Sequence, residues 1–553
     1  MWMLRTFCSG EWRLPRVKIL GGCVYLASIW RATGARQGGL KPLYLTTAID
    51  YANAKPHLGH AYEKVLTDTL ARFARRQGAT VRFLSGLDEH GQKVQQSAAQ
   101  TGQSPQQFVD GISADFLKLW KILKVEPDDY LRTTESRHRQ LVQGVLAKLY
   151  AQGDIIKGTF KGFYSIRAEQ FLTEKERQSD GSWPEIFGEV VELTEENYFF
   201  KLSKYQDWLK DLILKKPSMI FPEFRSKEVL GALEKPLPDL CISRPKTRLA
   251  WGIPLPFDEN QVTYVWFDAL LNYVTGAGSG LGKLEDWTPA VHVIGKDILV
   301  PAHGIYWPCM LKALNLPVFD QLLVHGFWTR KSEKLSKSTG NVVDPEILAA
   351  KYGADSFRYY VLREMALGHD ADFDEESLAA RRKGELAHEL GNLLQRAGSM
   401  IGRYREGKIP ASPVPDAVSE AFRATVLSAL RKWDEFMCAR QIHLALGELW
   451  KGVQAANQMI ESRAPWKLAK DPAQAPSLDA TLADAMAALE LVLDEVACVI
   501  PTTAEAGLRQ IGHPGGISPR SKNWPQWPTH QAGRSLGRIE PLFPLLEEEK
   551  RAG

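Results

Sequence analysis

With 553 residues, 44% of them hydrophobic and 24% charged, the chain exceeds what one compact core can hold and divides into three or four units. After residue 45 no uninterrupted apolar run is long enough to span a bilayer, so no membrane partner is expected. The net charge of +4 requires any affinity for a polyanion to come from a local basic surface. The cysteines, Cys8, Cys23, Cys241, Cys309, Cys438 and Cys498, are scattered without a CxxC pair, which fits a reducing compartment and weighs against a thiolate metal site.

Residues 1–41 carry Arg5, Arg13, Arg16, Lys18, Arg31 and Arg36 against Glu11, with an apolar stretch from Ile19 to Trp30. They read as an N-terminal extension of little fixed structure or as a leader of the secretory or mitochondrial kind. The globular part opens with Leu43-Tyr44-Leu45-Thr46-Thr47 as a buried strand, then a loop, then a helix over 59–76 with apolar residues at helical spacing. A second strand is expected over 81–84, ending in a loop that spans Ser85 to Gly91. This pattern predicts an open α/β sheet whose ligands bind at the strand ends. From about 116 to 235, helical segments alternate with short β-like stretches such as Gly162 to Ile166, which marks an insertion. The α/β pattern then resumes with Val291 to Ile294 and Leu322 to Val324 as strands. Beyond about 376 the period is helical, as in a bundle, and residues 511–553 are rich in Pro, Gly and Ser and wrap or trail.

Two stretches carry chemistry. Pro56-His57-Leu58-Gly59-His60 stands where strand hands over to helix. Backbone N–H groups and the helix dipole favour phosphate there, Gly59 lets a nucleotide approach, and the imidazoles can donate to phosphate oxygens. Alone, such a tetrad is a modest signal, because a pair of surface or capping histidines gives the same pattern. Lys334-Leu335-Ser336-Lys337-Ser338 is a polar loop with two lysines, and alone it reads as a solvated basic loop.

Together, in this order, HLGH and KLSKS resemble the HIGH and KMSKS signatures of the class I aminoacyl-tRNA synthetases, each by one aliphatic exchange that keeps every polar atom. The surrounding segments Thr47 to Asn53, Gly86 to Lys93, Tyr264 to Ala269 and Ile294 to Asp297 resemble the methionyl-tRNA synthetases, and the resemblance covers roughly residues 42 to 510. It implies an α/β fold with a split Rossmann-like catalytic domain, its halves at 42–115 and 236–375, a connective insertion at 116–235, and an all-α anticodon-binding bundle at 376–510. It implies ATP with Mg²⁺, methionine, and both initiator and elongator tRNA(Met) as partners. His57, Gly59, His60, Lys334, Ser336 and Lys337 fall at the ATP positions, with His57, His60, Lys334 and Lys337 catalytic. Ala48, Ile49, Tyr51, Trp266, Ala269, Leu270, Tyr273, Ile298 and His303 match the methionine pocket, aromatic and aliphatic walls being suited to a polarizable thioether. Asp88 is placed for the substrate ammonium. The spacing from Asp297 to His303 is one residue longer than the family pattern. Asn392, Arg396 and Trp466 match the anticodon readers, since tryptophan stacks on an unpaired base while Asn and Arg read its edges.

Ser165 and Ala168 stand where many family members carry knuckle cysteines, so an insertion without zinc is expected. A monomer in the cytoplasm is expected, with the mitochondrial matrix as the alternative. A small-molecule nucleotidyltransferase could share HxGH but would have no task for the helical part. A catalytically silent RNA-binding paralogue would not keep His57, His60, Lys334 and Lys337.

Overall fold

The computed structural model describes residues 43–165, 170–172, 176–178, 180–278, 290–331, 333–334, 343–411, 416–514, 519–521, 523–529 and 531–546. The 1–41 extension, Ala168, Ser336 and Lys337 lie outside them.

The first strand-loop-helix unit consists of β1 (Leu43–Thr47), a two-residue strand β2 (Asp50–Tyr51) and helix α1 (Leu58–Arg76). Every residue of β1 is buried, which is why its sequence runs without polar alternation. Strand β3 (Val81–Asp88) continues four residues beyond the expected 81–84, through part of what reads as a loop in the sequence. The reason is Gly86. A Cβ there would lie 2.1 Å from the carbonyl oxygen of Leu131 in the neighbouring strand β4 (Asp129–Arg132), so glycine permits a close backbone approach inside the sheet rather than marking a turn.

Strands β5 (Ile155–Ser165) and β6 (Val190–Phe200) pair antiparallel along their whole length in a separate four-stranded sheet. The main sheet is completed by β7 (Ile220–Phe221), β8 (Ala290–Gly295) and β9 (Gln321–His325). Its order is β4-β3-β1-β8-β9-β7, with β2 also on β3, and all pairs are parallel. Two of these strands, β4 and β7, come from within 116–235, the stretch expected to be insertion. They are four and two residues long, too short for a periodicity in the sequence to show.

The chain leaves β1 toward β3 on one side and returns as β8 on the other. The connections above these two central strands therefore diverge, and a crevice opens at their carboxyl ends, the usual ligand position of an open parallel sheet. Past β9 follow the hairpin strands β10 (Trp328–Arg330) and β11 (Glu333–Lys334).

Helix α2 (Val265–Leu270) packs beside the crevice, and α3 (Ala354–Glu364) leads into the bundle of α4 (Asn392–Arg405), α5 (Ala417–Cys438), α6 (Ile442–Arg463) and α7 (Ala475–Val496). One apolar core runs without a break from α1 through α3 into this bundle. Buried charge crosses the same boundary. Arg358 of α3 is wholly buried and donates to Asp68 of α1 at 2.7 Å, to the carbonyl of Leu123 at 3.0 Å, and to those of Val499 and Cys498 at 2.7 and 3.1 Å. At the other end of α1, Arg76 bonds Glu495 of α7 at 3.0 Å, and Arg520 of the tail donates to the same carboxylate at 3.1 Å. Burial pushes the Glu495 carboxyl up, but the two guanidiniums outweigh it and hold it below the usual range. The described part of the tail wraps the bundle, with Gln531 and Arg534 both on Glu490 and Phe543 buried.

Removing one partner from such a network strands buried acceptors. Arg358→Met should lower stability by about 3–5 kcal/mol in urea unfolding, and a loss below about 1 kcal/mol would contradict its role as the pin between α1 and the bundle.

Candidate active site

Helix α1 is capped by its own two histidines. The His57 Nδ1 accepts from the Gly59 backbone N–H at 3.1 Å, and the His60 Nδ1 accepts from the His57 backbone N–H at 3.1 Å, an imidazole version of the capping box. A backbone N–H can only donate, so in each neutral ring the proton resides on Nε2. The rings stack with centroids 3.8 Å apart and line the crevice, so two Nε2–H donors face it beside the positive end of a helix dipole. The tetrad's glycine is required by this arrangement. A Cβ on Gly59 would lie 3.0 Å from Cε1 of His57 and push the capping ring away.

The crevice deepens into a cavity of about 460 Å³ at the carboxyl ends of β1, β3, β8 and β9. Ala48, Ile49, Tyr51, Asp88, Trp266, Ala269, Leu270, Tyr273, Ile298 and His303 all line it, together with His57, Gly59 and His60. The segment Leu299–Tyr306 winds with wide π-type turns, which take up an extra residue, and brings His303 onto the wall despite the longer spacing from Asp297.

The part of the wall around Tyr273 and His303 is uncharged. His303 Nδ1–H donates to the Ile298 carbonyl at 3.1 Å, so its Nε2 accepts from the Tyr273 hydroxyl at 2.7 Å. Burial lowers the imidazole to about 4, so it stays neutral near pH 7. Tyr273 stacks on His292 at 4.1 Å, and burial pushes its phenol up. His292 is likewise neutral, its Nε2 accepting from the Trp307 indole at 3.2 Å while Nδ1–H donates to Thr46 at 2.7 Å.

The floor under the histidines is charged, and sequence reasoning missed it. Lys64 is buried on α1 and donates to Asp50 at 2.5 Å, Glu63 at 2.9 Å and the Ala48 carbonyl at 3.1 Å. The other oxygen of Glu63 meets the His325 Nε2 at 3.1 Å, while His325 Nδ1–H donates to the Gly326 carbonyl at 2.8 Å. Burial pushes both carboxyls up. For Glu63 the nearby Lys64 and His325 outweigh it and hold the group below its usual range, whereas Asp50 is left at about 7. The available signal is a lysine between Tyr62 and the apolar Val65-Leu66 of a helix that buries most of its residues, because a cation there demands partners.

Phe327 and Trp328 also line the cavity, and Thr329 pairs with Lys334 across β10 and β11, so the lysine-bearing hairpin starts at the cavity wall. In the bundle, Asn392 is exposed at the start of α4, the Arg396 guanidinium lies 5.9 Å over the Trp466 ring, and Arg396 pairs with Glu461 at 2.7 Å. In the inserted sheet Ser165 donates its hydroxyl to the Phe187 carbonyl at 2.6 Å.

A parallel sheet that carries a histidine-capped helix at its switch point and a lysine hairpin beyond it has the architecture of the family described as tRNA synthetases class I (M), whose model matches residues 43–189 and 182–398. The fold and site thus define a class I aminoacyl-tRNA synthetase. The chain is 36% identical to the methionine–tRNA ligase of Fusobacterium nucleatum over 92% of its length and 81% of that protein, and 43% identical to that of Brucella suis over 78% and 84%. It superposes with a TM-score of 0.86 on Mycobacterium tuberculosis methionyl-tRNA synthetase in complex with methionyl-adenylate, at 35% identity, covering 91% of this chain and 100% of that one. The chain belongs to the methionine–tRNA ligase family.

The tautomers are directly measurable. With ¹⁵N-labelled histidine, the free protein at neutral pH should show His57 and His60 protonated on Nε2 and His303 on Nδ1. The reverse pattern at either capping residue would contradict the capping geometry.

Proposed function

We propose that the cavity performs both steps of methionine–tRNA ligation, forming methionyl-AMP and pyrophosphate from methionine and ATP and then transferring the methionyl group to tRNA(Met). The observation that carries this reading is the single cavity that joins two Nε2–H donors at a helix N-terminus to an uncharged slot of aromatic and aliphatic side chains. The slot walls, Ala48, Ile49, Tyr51, Trp266, Ala269, Leu270, Tyr273, Ile298 and His303, would receive a thioether without charge, and Asp88 would pair with the ammonium.

The methionine carboxylate is already a nucleophile at neutral pH, so the first step needs alignment with the α-phosphate and stabilisation of spreading charge rather than a general base. His57 and His60 donate to the phosphates as that charge grows, over Gly59. Lys337, with Lys334 and Ser336, closes over the β and γ groups and the leaving pyrophosphate. In the second step the terminal adenosine hydroxyl of the tRNA attacks the activated carbonyl and AMP leaves. Among the described residues no group of three His, Cys, Asp or Glu side chains is placed to hold a metal ion. The Mg²⁺ that accompanies ATP would sit mainly on phosphate oxygens and water, where it would neutralise charge.

Exposed Asn392 and Trp466 and the half-buried Arg396 would read the anticodon, the indole stacking on a base while Arg396 exchanges its pairing with Glu461 for a base edge or phosphate. The protein would act as a monomer on initiator and elongator tRNAs in the cytoplasm, the mitochondrial matrix being the second compartment where its tRNA is found. No helix of the described residues is long and apolar enough to cross a membrane.

Methionine-dependent ATP–pyrophosphate exchange tests the reading, and its absence in purified protein would end it. Lys337→Ala should lower exchange by about two orders of magnitude or more with methionine binding nearly intact. Tyr273→Phe leaves the His303 Nε2 lone pair buried without its donor, and should raise the methionine KM about tenfold; an unchanged KM would show that the Tyr273 hydroxyl has no part in holding methionine.

A further inference from the structure

His90 and Asp268 form a buried pair that stands outside the steps of the reaction. His90 is 4% exposed and Asp268 is wholly buried, and a hydrogen bond of 2.9 Å joins the His90 Nδ1 to the Asp268 Oδ2 across 178 residues of chain. Replacing a buried ionisable pair by apolar side chains is often neutral or stabilising, so what such a pair fixes is one relative placement of the elements that carry it. Here those elements carry two parts of the cavity wall. His90 is two residues beyond Asp88, Asp268 stands between Trp266 and Ala269, and Asp88, Trp266 and Ala269 all line the cavity.

The main sheet alone does not set the distance between these parts. Asp88 belongs to it as the last residue of β3, its carbonyl accepting from the Ala52 N–H at 2.8 Å. Helix α2 instead follows a small antiparallel sheet of Ser243–Pro245, Pro254–Leu255 and Asp258–Thr263, and the Tyr264 N–H just before it donates to the Ile242 carbonyl at 2.7 Å. Past α2, the Tyr44 hydroxyl and the Arg82 guanidinium reach from β1 and β3 to the carbonyls of Tyr273 and Gly276, at 2.9 and 2.7 Å. Between those two anchorages the bond to His90 meets α2 at its middle, at the loop that carries Asp88. That loop is braced. Arg132 donates to the Glu89 carboxylate at 2.5 Å, the Trp251 indole donates to the Glu89 carbonyl at 2.5 Å, and the Gly91 N–H donates to the Trp251 carbonyl at 3.2 Å.

We propose that the His90–Asp268 bond gauges the length of the amino acid that the cavity accepts. It holds Trp266 and Ala269 at a set separation from Asp88, which makes His90 and Asp268 positioning residues for the selection of methionine against shorter and longer side chains. An extra or missing methylene in an apolar pocket changes kcat/KM by about 10–200-fold, and that discrimination lasts only while the walls keep their separation. The inference rests on the reading that Asp88 takes the ammonium while Trp266 and Ala269 receive the thioether end.

Amino-acid-dependent pyrophosphate exchange is measured with methionine, with ethionine, which is one methylene longer, and with norvaline, which is one heavy atom shorter. The proteins compared are the full chain and its Asp88→Ala, His90→Ala, His90→Asn and His90→Leu/Asp268→Leu variants. Loss of the bond in His90→Ala should raise the methionine KM about tenfold, with kcat within about threefold and the ATP KM unchanged, and narrow the preference for methionine over both analogues about tenfold. His90→Asn, whose amide can donate or accept near the place of Nδ1, should restore most of the preference. The double variant removes the polar pair as a unit and should keep the melting temperature without regaining the preference, which separates length selection from folding. A preference unchanged in His90→Ala, or regained in the double variant, would overturn the inference and leave the pair a structural one. An unchanged methionine KM in Asp88→Ala would instead remove the ammonium assignment, and this inference with it.

Discussion

Helix α1 is held at a fixed depth and angle, and its first turn thereby presents the two imidazole donors at the crevice. The sequence holds it along its whole length. At the N-terminus His57 and His60 close the capping box through Nδ1. One turn in, Lys64 ties α1 to β2 and to the Ala48 carbonyl. Further along Asp68 receives Arg358 from α3, and at the last turn Arg76 meets Glu495 of α7. Charged residues buried at this cost gain specificity of placement rather than net stability, since each loses its solvation and finds its partner in only one register.

The cavity keeps its charge in separate places. Tyr273 and His303 on its wall, and His292 stacked behind Tyr273, are neutral near pH 7, because burial disfavours both the imidazolium and the phenolate forms. The floor carries Asp50, Lys64, Glu63 and His325, each bonded to the next. A substrate that is apolar at one end and charged at the other fits this division in one orientation only.

The same helix is the element that the bundle grips. Arg358 and the cluster of Arg76, Glu495 and Arg520 make α1, α3, α7 and part of the tail one packed body with a continuous apolar core. The half-buried Arg396, the exposed Trp466 and the capping histidines therefore belong to elements joined by direct side-chain contact rather than by a flexible linker.

The sequence alone determined the elements whose signal is local. β1 and α1 show in their periodicity, and HLGH and KLSKS show in their chemistry, because caps, turns and signatures depend on neighbours a few residues away. The pocket residues became legible through resemblance, since nothing in the periodicity of Trp266 or His303 distinguishes a ligand wall from a core. Only the tertiary structure decided that Gly86 lies inside a strand, that the short β4 and β7 join the main sheet, and that Asp50, Glu63, Lys64 and His325 form one charged floor. Those features arise from contacts between residues as far apart as Glu63 and His325, and whether a charge is buried and paired is a property of the packed chain rather than of any window along it.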